Sequence, residues 1–155
     1  GIMAHYAWLD ENNTVLNVQT GVDETELLDG EVVDWEQKYL ELAVQFNPNV
    51  VDVKRTSYNT YQKIHINGDT GEASDTPEKA FRGNYATKGG KYLPDKDIFV
   101  HIPMFDSWVL NEDNATYEPP VPIPDDHEET PYHWDEETTS WVEGVYDEKP
   151  NNNYT

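Results

Sequence analysis

Three stretches of this chain share one pattern. Leu9-Asp10-Glu11, Leu110-Asn111-Glu112 and Trp134-Asp135-Glu136 each set an apolar residue before Asx-Glu, and a large or apolar partner returns 6, 7 and 7 residues later at Val15, Tyr117 and Trp141. A return that short leaves no room for a crossover; it fits an antiparallel hairpin whose four- to five-residue loop carries a type I turn. Asx side chains suit such loops, because they bond back to the backbone and tolerate positive φ. In the third repeat Trp134 and Trp141 should face each other across the strands, a pairing worth about 0.5–1.5 kcal/mol beyond area burial. Local antiparallel pairing is therefore the expected scaffold.

One segment departs from period two. Trp35, Tyr39, Leu42, Ala43 and Phe46 recur at helical spacing, so about 34–46 is expected to form a short amphipathic helix, with Asp34 as N-cap, Gln37 at the third helical position and Asn47-Pro48 ending it. The expected class is α+β, mostly antiparallel β-hairpins with this one helix. Thr56 to Ile66 alternates and reads as one polar-aromatic strand; Gly68 to Glu78 reads as a mobile loop, and Ile98 to Ile102 as a further strand. The resulting domain expectation is a compact α+β unit over 3–118, a Pro-rich acidic linker over 119–131 containing Pro119 to Pro124, a C-terminal hairpin over 132–146, and a flexible tail over 147–155. Gly1 and Ile2, ahead of Met3, read as a remnant outside the fold.

Composition decides whether such hairpins can hold a core. Leu, Ile, Val and Phe make up 32 of 155 residues and the formal net charge is −21, which is near the disordered regime. The 5 Trp, 10 Tyr and 4 Phe point the other way, since large rings bury much area each and disordered chains are poor in them. The charge is also segmental. Residues 1–53 carry 11 acids and 1 base, 54–105 carry 6 acids and 8 bases, and 106–155 carry 14 acids and 1 base. A basic middle between acidic flanks allows intramolecular pairing, and the alternative is a solvated acidic surface. Either way the chain lacks the basic face that duplex DNA needs. Zero cysteines exclude disulfides, thiolate metal sites and a cysteine nucleophile. No apolar run approaches the roughly 20 residues of a membrane helix, and no export signal is visible.

Chemistry-bearing residues concentrate in the middle. A hydrolase reading would use Ser57 as nucleophile, His65 as base and Arg82 or Lys54 as anion stabiliser. Yet no nucleophile elbow is present, and Ser57 and His65 would lie roughly 26 Å apart along one extended strand. The competing reading makes these groups partners of buried backbone. His127 and His133 sit among Asp125, Asp126, Glu128, Glu129 and Asp135, but at a spacing that matches no metal motif. Asp10-Glu11-Asn12 and Asn111-Glu112-Asp113 offer oxygens to calcium without the Gly and terminal Glu of an EF-hand loop. No metal and no cofactor is expected. The residues expected to bind a partner are Lys54, Arg55, Tyr58, Arg82, Trp108, Trp134 and Trp141.

Several segments, taken in order, resemble a family. Tyr6-Ala7-Trp8-Leu9-Asp10-Glu11-Asn12-Asn13, Lys54-Arg55-Thr56-Ser57-Tyr58-Asn59-Thr60, His65-Ile66-Asn67-Gly68, Arg82-Gly83-Asn84-Tyr85-Ala86 and Ser107-Trp108-Val109-Leu110-Asn111-Glu112 with Pro120-Val121-Pro122 are similar to small proteins of marine tailed phages, cyanophages among them. The chain departs from that pattern in a longer polar insertion between Gly68 and Phe81 and in Thr87-Lys88-Gly89-Gly90-Lys91. The resemblance implies a virion protein made in the host cytoplasm, non-enzymatic, decorating the capsid or associated with the tail. Its implied partners are capsid or tail proteins, with a homo-oligomer as a further option, and neither nucleic acid nor membrane. The alternatives are an acidic nucleic-acid mimic that inhibits a host protein, and a hydrolase.

Overall fold

The computed structural model describes Met3 to Val145; Gly1, Ile2 and the expected tail over 147–155, together with Tyr146, lie outside the described residues. The first repeat folds as β1 (Met3–Leu9) and β2 (Val15–Val22), paired antiparallel with a bulge between Trp8 and Leu9. After the helix α1 (Trp35–Phe46), β3 (Asp52–Thr56) returns antiparallel to β1, giving a three-stranded sheet in the order β2-β1-β3. The period-two rule then sorts the central strand. Ala4 and Tyr6 face α1 with Val50 and Val53, while Ala7 and Leu9 face the other side with Val15, Ala86, Tyr92 and Phe99. Both faces of β1 are thus buried, which uses a small number of apolar residues twice over.

The helix begins as expected, with the Asp34 carboxylate accepting from the Gln37 N–H at 3.1 Å. Its buried face is rotated from the expected one. Trp35, Tyr39, Leu40 and Ala43 pack on the sheet, whereas Leu42 is 42% and Phe46 74% exposed. At 3.6 residues per turn Leu42 lies roughly 90° from the centre of the packed face, and Phe46 is the last helical residue. Tyr39 finds its seat over a glycine. A Cβ on Gly21 would come within 2.6 Å of the Tyr39 ring, and the Tyr39 hydroxyl receives the Val22 N–H at 2.9 Å.

The expected single strand from Thr56 to Ile66 is overturned. The chain turns after β3, with Asn59 at φ 62°, and makes a minimal hairpin of β4 (Thr60–Tyr61) and β5 (Ile64–His65) around Gln62 and Lys63, both at positive φ (51° and 67°). Positive φ at both central residues is the type I′ geometry that suits a two-residue hairpin. Here it is adopted without glycine, so the usual sequence signal is missing. The loop expected to be mobile is closed on itself: Asn67 N–H bonds Glu72 C=O, Gly71 N–H bonds Asn67 C=O and Ser74 N–H bonds His65 C=O, each at 2.8 Å. A single 3-10 turn, Pro77–Lys79, follows.

The remaining elements are hairpins. They are β6 (Lys91–Leu93) with β7 (Ile98–Val100), β8 (Val109–Asn111) with β9 (Thr116–Glu118), and β10 (Tyr132–Asp135) with β11 (Ser140–Glu143). The fold is α+β, mostly antiparallel hairpins with one α-helix among the described residues. The described chain divides into two compact units: one runs to Ile102 and includes Leu110–Tyr117, the other comprises Pro103–Val109 and the chain from Glu118 onward. In the second unit Trp134 and Trp141 face each other across the strands with ring centroids 5.3 Å apart. The stretch 119–131 is bound to the hairpin that follows it, through Trp141 Nε1–H to Val121 C=O at 2.8 Å and Tyr132 O–H to Asp126 at 2.7 Å.

Candidate functional site

The fold-back at Asn59 brings the polar middle of the chain against the start of β1. There it leaves a groove of about 610 Å³, lined by Met3, His5, Asp23, Arg55, Ser57, Tyr58, His65, Lys79 and Phe81 among others. That volume is in the range of small-ligand and side-chain sites. One wall is aromatic. His5 stacks on Tyr58 at 5.2 Å and meets Tyr85 edge-on at 5.4 Å, and Tyr58 remains 57% exposed. Burial, with the Arg55 charge nearby, holds the His5 imidazole below its ordinary pKa, so the ring is kept neutral.

Another part of the lining is charged and internally paired. Arg55 reaches Glu24 at 2.9 Å and Asp23 at 3.5 Å, and its guanidinium lies 5.0 Å from the Phe81 ring centroid. Hydrogen bonds from the Thr25 N–H and hydroxyl, then the Arg55 charge, hold the Asp23 carboxyl below the usual range against the opposing effect of burial. Asp23 is thus a carboxylate, the wrong state for a general acid.

Ser57 and His65 both line the groove, as a hydrolase would require, but each is committed elsewhere. The Ser57 hydroxyl donates to the Lys79 carbonyl and accepts from the Thr60 hydroxyl at 2.8 Å, and Ser57 is only 6% exposed. His65 Nδ1 bonds the Ser74 hydroxyl at 2.7 Å. The Ser57 proton points at a backbone carbonyl rather than at a base.

Of the other expected partner-binding residues, Arg82 is a bolt within the first unit. Its guanidinium bonds Glu36 on α1 at 2.7 Å, Asp97 at 2.8 Å and the Arg55 carbonyl at 2.9 Å. Burial would lower its pKa, and the Glu36 and Asp97 carboxylates outweigh that and raise it. Lys54 pairs with Asp52 at 3.9 Å and lies 6.0 Å from the Tyr92 ring centroid. In the second unit Trp134 is 2% exposed and forms its core. Trp108 packs edge-on against Trp134 at 6.3 Å, and the Trp141 indole is tied to Val121. Arg55 and Tyr58 are therefore the two expected residues that the structure places in the groove.

The Nδ1 atoms of His127 and His133 bond the backbone carbonyls of Pro124 at 2.9 Å and Gly144 at 2.8 Å. The Asx loops likewise spend their oxygens on the backbone. Asp10, Asn111 and Asp135 each accept from the N–H two residues on, at 2.9, 2.9 and 3.1 Å. The groove residues that the sequence did not reveal are His5, Asp23, Lys79 and Phe81. Nothing in their spacing marks them, because they arrive from β1, the end of β2 and the turn at Pro77–Lys79 and meet only in the tertiary structure. Among the described residues no helix is long and apolar enough to cross a membrane. Compared with known protein families, with characterised proteins and with solved structures, the chain matches none.

Proposed function

We propose that this chain is a non-enzymatic contact protein of a tailed-phage particle, attached to capsid or tail proteins through the groove beside Tyr58. The observation that carries the non-enzymatic part is the commitment of Ser57: its proton goes to the Lys79 carbonyl and its lone pair to Thr60, so the most hydrolase-like group in the sequence serves to close the fold. What remains accessible is an aromatic wall beside paired charges, the composition of a side-chain recognition surface. The particle context comes from the resemblance of the chain's segments to small phage proteins.

Mass spectrometry of purified particles of the encoding phage tests the reading, with the chain expected at fixed stoichiometry; its absence from particles would sink the proposal. Tyr58→Ala is the matching variant. Tyr58 is 57% exposed and contacts the His5 and Tyr85 rings, so the substitution should cost about 0.5–1.5 kcal/mol per ring contact and keep the helix and sheet signals while abolishing incorporation into particles.

A further inference from the structure

The three-stranded sheet has two edges, and their backbone groups can be accounted for one by one. On β3, the Arg55 N–H donates to Glu36 at 2.7 Å and the Arg55 carbonyl accepts from Arg82 at 2.9 Å. The backbone of Arg55 thus points away from β1, and both its groups on this edge are taken by side chains. Because Arg55 is paired with Tyr6, and Tyr6 with Gln19, the alternation of an antiparallel ladder turns Tyr6 and Gln19 toward each other and turns Val18, Thr20 and Val22 outward on β2. The ends of this outer edge are also closed. Val15 exchanges bonds with Gly90 and Gly89 at 2.9 and 2.8 Å, and Val22 is held by the hydroxyls of Tyr39 and Tyr6 at 2.9 and 2.8 Å. Between them Val18 has no partner beyond β1 among the described residues, and Thr20 has only a 3.4 Å contact from the neighbouring Gln19 amide to its carbonyl.

Open edges are ordinarily blocked by charge or proline. Val15–Val22 (VLNVQTGV) contains neither, in a chain that is 26% charged. We infer that the Val18–Thr20 edge of β2 pairs antiparallel with the same edge of a second copy of this chain. The two outward residues are self-complementary: Val18 opposite Thr20 of the second copy, and the reverse, give four backbone hydrogen bonds about a two-fold axis at Gln19. Local charge favours the same occupant, against the net −21 that each copy carries. Continued in this register, Asp23 of the second copy comes level with Val15, where Gly89 and Gly90 force its chain to leave the sheet. Its Asp23 and Glu24, which share the single Arg55 as their internal partner and so keep one net negative charge, then meet the turn bearing Lys88, which is exposed and has no ion pair among the described residues. This pairing rests on backbone geometry and is independent of the particle reading, so either can fail while the other stands.

Sedimentation velocity across a concentration series, together with amide hydrogen exchange of the full chain, tests it. The expected result is a dimer in which the Val18 and Thr20 amides gain protection as concentration rises. Thr20→Pro removes one outward N–H per copy, at a position where an edge strand tolerates proline; it should weaken the dimer by about tenfold or more while the monomer keeps its helix and sheet signals. A chain that stays monomeric to about 1 mM, a dimer in which these two amides stay unprotected, or protection that arises only on adding a strand from a different protein would each overturn the inference.

Discussion

Arg82 holds three partners from one guanidinium, on a backbone in the left-handed region (φ 54°). Glu36, Asp97 and the Arg55 carbonyl belong to the helix, the turn between β6 and β7, and the edge of the sheet. Arg82→Ala would leave a largely buried Glu36 carboxylate without its cation, and should cost about 2–3 kcal/mol in urea denaturation; Arg82→Lys should recover less than half, since one ammonium cannot span the fork. His5 gives the pH dependence a sign. Unfolded His5 takes up a proton as pH falls through about 6.5, whereas burial and the Arg55 charge keep the folded ring neutral to lower pH. The unfolded chain therefore binds more protons, and stability present above about pH 6.5 declines as pH drops. His5→Phe should keep the stack on Tyr58 and flatten the melting temperature between about pH 7 and 5, a comparison made by scanning both proteins across that range. A second loss follows in acid. Burial pushes the Asp97 carboxyl up, but Tyr92 and Arg82 together hold it below its ordinary value, so its contribution is lost as pH falls below about 4.

Among the hairpins, sequence and structure agree where the signal is local. The Asx side chain before each of the three repeated loops caps the N–H two residues on, and the return strand is preceded by a non-glycine residue at positive φ: Asn13 at 62°, Ala115 at 57° and Thr139 at 48°. Asn tolerates that conformation, whereas a β-branched residue does not. Thr139→Gly should therefore stabilise by about 0.5–1 kcal/mol, measured as a shift in denaturation midpoint, and a loss of that size would show that Thr139 is not strained. The fold-back of Thr60–His65 was illegible for a related reason. Its turn residues Gln62 and Lys63 are ordinary strand-compatible types, held at positive φ by the Lys63 N–H to Gly83 carbonyl bond at 2.7 Å, a contact 20 positions along the chain. The helix was legible in extent and cap, yet which stripe it buries depended on Tyr39 seating over Gly21. Gly21→Ala should displace that ring and cost about 1–3 kcal/mol.

On the scale of the molecule, the segmental charge resolves unevenly. Arg55 and Arg82 in the basic middle pair with Asp23, Glu24 and Glu36 of the acidic first segment, one of the two outcomes that the segmental charge left open beside a solvated acidic surface. The 14 acids after residue 105 have a single base among them in sequence, and repulsion there is screened by salt. Melting temperature should accordingly rise by a few degrees between about 20 and 200 mM NaCl, and a fall would mean that the Arg pairs outweigh the repulsion. The sequence by itself determined the repeated hairpins, the helix limits, the Asx loops and the Trp134–Trp141 pairing, because each rests on contacts fewer than about a dozen residues apart and on a period that the backbone imposes. Tertiary structure alone decided that Arg82 is a bolt, that Ser57 is spent on Lys79, that His5 and Phe81 meet Arg55 and Tyr58 in one groove, and that Val18 and Thr20 are the unsealed part of the sheet. Those outcomes depend on which distant segment reaches a given backbone group first, and nothing in local periodicity carries that information.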